Sequence, residues 1–73
     1  MKYHRIMFRV DCTLEIQLPH NRKITVIKVR KDDTMQVCIQ PYVSSSRIEM
    51  CHLTTLDGGR MLDVPFSKFQ HLS

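Results

Sequence analysis

Residues 6–18, IMFRVDCTLEIQL, decide the fold. Every even position is apolar (Ile6, Phe8, Val10, Cys12, Leu14, Ile16, Leu18), and the odd positions are polar apart from Met7. A period of two is the signature of a half-buried strand, and a slip of one residue would carry the whole apolar set to the solvent face. The run is about twice the usual strand length of roughly 5–6 residues. It therefore either bends or bulges near Asp11 and serves two parts of a curved sheet, or turns tightly at Asp11–Thr13. The bend is favoured, because the parity is unbroken and the stretch holds no Gly or Asn to make a turn.

Working outward, Pro19-His20-Asn21-Arg22 interrupts the alternation. Residues 23–40, KITVIKVRKDDTMQVCIQ, read as two β-rich runs around Lys31-Asp32-Asp33-Thr34, and the expected arrangement is a hairpin. The first of these runs changes parity at Val26-Ile27, which implies a bulge, a central strand or an exposed apolar patch. Pro41 is expected to close the second run, with Tyr42–Ser46 as a loop. Alternation resumes over Arg47–Leu53, with Ile48, Met50 and His52 on one side. Asp57-Gly58-Gly59 is the strongest turn signal, so the chain after it should pair back on the chain before it. Leu62, Val64 and Phe66 alternate again, and Pro65 suits an edge position. A single helical turn over Ser67–Gln70 would lay Phe69 beside Phe66. Nothing sustains the three-and-four spacing of an amphipathic helix. The fold expected is an all-β, five- or six-stranded antiparallel barrel of the SH3, Sm or OB type, with residues 1–73 as one domain.

At 73 residues, one core contributes only roughly 3–5 kcal/mol of net stability, so a partner chain or self-association is a reasonable supplement. Three cysteines at positions 12, 38 and 51, without close spacing, and no apolar leader at the N-terminus point to a reduced, cytoplasmic setting. No run reaches the roughly 18 apolar residues of a membrane span. The formal charge of +4 is unevenly spread. Residues 1–31 hold eight Lys and Arg against Asp11 and Glu15, whereas residues 32–73 hold three against five carboxylates.

Catalysis finds little footing: there is no nucleophile elbow and no glycine-rich phosphate loop, and Asp32-Asp33 reads as turn chemistry. No enzyme and no cofactor are expected. A zinc site from Cys12, Cys38, Cys51, His20 and His52 lacks the close ligand pairs such sites use, so no metal is expected either. The basic half is more suggestive. Arg5, Arg9, Arg22, Lys23, Lys28, Arg30 and Lys31 could neutralise nucleic-acid phosphates, with Tyr3 and Tyr42 as the exposed aromatics. The plainer reading is that these cations solvate sheet faces and blunt edges. Met7, Ile27 and Val29, off the apolar parity of their runs, are candidates for a protein interface.

Two family resemblances follow from particular residues. Pro41-Tyr42, Arg47–Leu53 and Gly59–Phe69 together resemble the closing hairpin of WYL-type domains and of the Rho-inhibitor Rof family, both barrels of the SH3 or Sm kind. Ile48-Glu49-Met50 stands where the Trp-Tyr-Leu triplet would fall. Ile24–Val29 with Val37-Cys38-Ile39 is similar to the central strands of the carbon-storage-regulator family of RNA-binding dimers. Either resemblance implies regulation through a nucleic acid or a transcription factor, without catalytic residues. The expectation is thus a non-enzymatic regulatory module on RNA or DNA backbone. The alternative is a protein-binding adaptor or inhibitor, as a monomer or a homodimer, and no membrane or small-molecule substrate is expected.

Overall fold

The run from Ile6 to Leu18 bends at Arg9-Val10 and becomes two strands, β1 (His4–Phe8) and β2 (Cys12–Gln17). They serve distant parts of one sheet: β1 pairs with β4 and β7, and β2 with β3 and β6. Ile6, Phe8 and Ile16 are buried, with Cys12 and Leu14 packed against them, so the even positions face inward on both sides of the bend. Val10, at the bend itself, turns outward and is exposed.

The remaining strands are β3 (Ile24–Val29), β4 (Thr34–Val43), β5 (Glu49–Thr55), β6 (Arg60–Pro65) and β7 (Phe69–His71). In this computed structural model, which describes residues 2–72, all seven strands form one curled antiparallel half-barrel in the order β3-β2-β6-β5-β4-β1-β7. Each strand contributes to the core, from Phe8 on β1 through Val37 on β4 and Leu53 on β5 to Phe69 on β7. A 3-10 turn over Phe66–Lys68 precedes β7 and holds the Phe66 and Phe69 rings 5.5 Å apart. The helical turn expected over Ser67–Gln70 is present but shorter and one residue earlier, and Phe69 and Gln70 belong to β7 instead.

The expected hairpin between β3 and β4 does not form, although its turn does. Asp33 N–H donates to Arg30 O at 3.0 Å, and Asp32 takes the left-handed conformation at φ 76°. Phe8 then occupies the space where the two strands would begin to pair. Its N–H donates to Asp33 O at 2.9 Å, and its carbonyl accepts from Asp32 N–H at 2.8 Å. With β1 wedged there, β4 pairs with β1 and β5, while β3 pairs with β2 over six consecutive positions from Cys12↔Val29 to Gln17↔Ile24.

Two prolines sit where the sheet tolerates them. Pro41 lies inside β4, opposite Cys51, rather than ending the strand. The pairing of β1 with β4 stops at His4↔Val37, so the missing N–H of Pro41 costs no ladder bond on that side. The loop moves accordingly to 44–48, where Arg47 is left-handed at φ 62°. Pro65 ends β6 beyond the short pairing with β2, on a locally unpaired edge.

The Asp57-Gly58-Gly59 turn closes the β5–β6 hairpin as expected. Gly58 has φ 89°, a conformation that calls for glycine, and a Cβ there would stand a tight 3.1 Å from Pro19 Cγ. The Asp57 carboxylate accepts from the Thr55 hydroxyl and from Gly59 N–H, and these bonds hold its carboxyl below the usual range. A lowered carboxyl pKa in the folded state adds stability that is present above the unfolded value of about 4 and is lost as pH falls through the folded one. Asp57→Asn should therefore flatten the fall of the urea midpoint below about pH 4. Inward parity is checked by a second pair of variants. Ile6→Val should cost about 1 kcal/mol in urea denaturation, whereas Ile24→Val, on the outer face, should change stability by less than about 0.5 kcal/mol.

Candidate nucleic-acid interface

The seven cations do not form one surface. Five belong to β3 and its flanks, but at opposite ends: Arg22 and Lys23 precede the strand, and Lys28, Arg30 and Lys31 close it. At about 3.3 Å per residue, the two groups stand roughly 20 Å apart. Arg22 shares its end with Arg60, around a hollow formed with His20 and the Pro19 loop. Arg5 is separate again, on the outer face of β1 opposite Gln36.

A tighter group forms where the bend after β1 meets the β3–β4 turn. The Phe8 bonds to Asp32 and Asp33 bring Arg9 alongside Lys31, and Arg9 N–H donates to Lys68 O at 2.9 Å. Arg9 Nε also donates to Phe69 O at 3.2 Å, which fixes the start of its guanidinium. Carboxylates shape the turn through its backbone: Asp33 accepts from Arg30 N–H at 2.8 Å, and Asp11 from Lys31 N–H at 2.7 Å. Asp32-Asp33 is thus turn chemistry, and the Arg30 and Lys31 side chains project from a braced loop. Lys28 and Arg30 share a parity, lie about 7 Å apart, and line one shallow hollow beside Asp11 and Thr13. Arg9, Lys28, Arg30 and Lys31 therefore gather at one end of the half-barrel. Lys68, which the sequence places only in a helical turn, adjoins Arg9 through the carbonyl that accepts the Arg9 N–H.

The proposed apolar patch of Met7, Ile27 and Val29 does not exist as a surface. Val29 is 6% exposed in the core, Ile27 packs against that core, and half-buried Met7 lies on β1, far from β3 in the strand order. The parity change in β3 has the third of its three meanings: β3 is an edge strand with no bulge, and its outer face carries Ile24 and Val26, 62% and 60% exposed. Leu62 joins Ile24 around a hollow that also contains Glu15 and Arg60.

Leu62 is outside because β6 bulges. Cys51 pairs with Val64 and Leu53 with Met61, so His52 alone opposes Leu62-Asp63. The core side of β5 is thus Cys51 and Leu53, and Ile48 is exposed. Asp63 is left-handed at φ 58° and is held from two sides. Its N–H donates to His52 Nδ1 at 3.3 Å, and its carboxylate accepts from the Tyr42 hydroxyl. The Tyr42 and His52 rings lie 4.8 Å apart. Tyr42 is consequently occupied in bracing the bulge, and Tyr3, which is exposed, sits ahead of β1.

Cys12, Cys38 and Cys51 are free thiols, and burial pushes the Cys51 thiol up to about 11. Its Sγ donates to Val64 O at 3.4 Å, as a core thiol would. Among the described residues no three His, Cys, Asp or Glu side chains are grouped to hold a metal ion.

Sequence reading missed a groove on the concave side of β1, β4 and β7, with Arg9 at one end and His4 and His71 at the other. Its aromatic floor of Phe66 and Phe69 was visible, but both residues read as core. No protein-family model, curated protein or solved structure matches this chain.

The Tyr42 hydroxyl is pushed up to about 12, first by donating to Asp63 and then by desolvation and the Asp63 charge. Asp63→Asn should return it toward 10, as read by absorbance titration of tyrosinate. In the native protein the neutral hydroxyl is favoured on folding, so this contribution is present below about pH 10 and is lost as pH rises toward about 12.

Proposed function

We propose that this protein is a non-enzymatic module that binds the backbone of RNA or DNA at the end of the half-barrel carrying Arg9, Lys28, Arg30, Lys31 and Lys68. The supporting observation is the pairing of Phe8 with Asp32 and Asp33, which sets the backbone of Arg9 beside the braced Arg30-Lys31 turn, more than about twenty residues away in sequence. Bracing matters because cations on ordered backbone lose less freedom when a phosphate docks. Arg22, Lys23 and Arg5 lie outside this surface and serve at most as distant contacts.

Fluorescence anisotropy with a labelled oligonucleotide tests the reading. Affinity should fall steeply between about 50 and 200 mM salt, and the combined Lys28→Gln, Arg30→Gln, Lys31→Gln variant should weaken binding at least about tenfold and lower the salt slope by about 2–3. The Arg22→Gln, Lys23→Gln variant should change it far less. Absence of a complex at low salt, or an affinity indifferent to salt, would falsify the proposal.

A second reading draws on the β3 edge, where Ile24 and Val26 are exposed beside Leu62 and the outward backbone groups have no neighbouring strand. Such an edge suits a protein partner or a second copy. Light scattering at high concentration should then show a dimer that Val26→Lys returns to monomer.

A further inference from the structure

The groove at β1, β4 and β7 begins where the basic surface ends. Arg9 belongs to both: its N–H is tied to Lys68 O, its Nε to Phe69 O, and its side chain lines the groove. Beyond it, half-buried Phe66 and buried Phe69 lie 5.5 Å apart, with Pro41 across from them. At the far end His71 Nε2 and His4 Nδ1 share a hydrogen bond of 2.9 Å, with ring centroids 4.7 Å apart. Among the described residues no carboxylate lines this groove. A flat ring at Phe66, with the Arg9 cation at one end of the groove, is what a base joined to a phosphate requires.

From this continuity we infer that the groove takes an unpaired base, so that the protein prefers single-stranded nucleic acid to a duplex. The inference rests on the backbone reading above and adds the class of nucleic acid to it. In a duplex every base is stacked inside and shows only its edges, so the Phe66 ring has nothing to meet. In a single strand a base can leave the stack and lie against Phe66 while its phosphate stays at Arg9. The ring supplies stacking, the cation supplies charge, and the groove joins the two.

Binding is compared for a short single strand, the duplex of the same sequence, and the same strand lacking its bases. Phe66→Leu keeps an apolar side chain where truncation would open a cavity, and its fold is to be checked by circular dichroism. The single strand should bind about tenfold tighter than the other two probes. Phe66→Leu should remove that preference and leave the salt slope unchanged, since stacking and phosphate contact are separable contributions. Equal binding of all three probes, with Phe66→Leu harmless and the salt dependence intact, would overturn the single-strand inference while leaving the backbone reading standing. Failure of every probe to bind at low salt would overturn both.

Discussion

The pairing of Phe8 with the β3–β4 turn is the constraint on which the molecule depends. Phe8 is fully buried, its ring meets Phe69 edge-on at 6.4 Å, and its two backbone groups are satisfied by Asp32 and Asp33. Unpaired, those groups would be buried polar atoms with a cost of about 1–3 kcal/mol each. One residue thus anchors the core and also decides that β3 and β4 part company. Once they part, β4 is free to pair on both sides, β3 is left at an edge, and the sheet curls around Phe8.

This explains which parts of the architecture could be read from the residues alone. Period-two runs identified the strands, because alternation is a local property that burial enforces residue by residue. Gly58 announced its hairpin because few residues but glycine accept its backbone conformation. The partner of β3 was not legible. Lys31-Asp32-Asp33-Thr34 has ordinary turn chemistry, and nothing within it records that a strand from more than about twenty residues earlier will insert beside it. A well-formed turn therefore pointed to the wrong neighbour, since strand pairing is decided by competition among distant segments.

Parity failed for a related reason wherever the backbone departs from a regular ladder. At β6 an unbroken even alternation of Leu62, Val64 and Phe66 looked like one buried face, yet the bulge at Leu62-Asp63 puts Met61 and Val64 inside and Leu62 outside. Asp63 is the residue that permits this, because its short polar side chain tolerates the left-handed region and finds a donor in Tyr42. In β3, the apolar residues on both faces were correctly seen as ambiguous. Only the edge position of the strand settles that Ile27 and Val29 are core and that Ile24 and Val26 are surface.

The charge asymmetry of the sequence acquires its meaning from the same bend. Read along the chain, seven of the eight cations in residues 1–31 suggest a single basic face, but alternation and strand order scatter those seven to three places. What the fold gathers instead is a smaller set, chosen by where β1 ends. Arg9 stands one residue beyond Phe8, so the bonds that fix Phe8 also place Arg9 between the Arg30-Lys31 turn and the concave groove. A core requirement thereby positions a surface cation: moving Phe8 would move Arg9 with it. Core packing and the placement of a surface charge are coupled through two adjacent residues, so a chain with only a small core can hold an exposed cation in register without a dedicated scaffold for it.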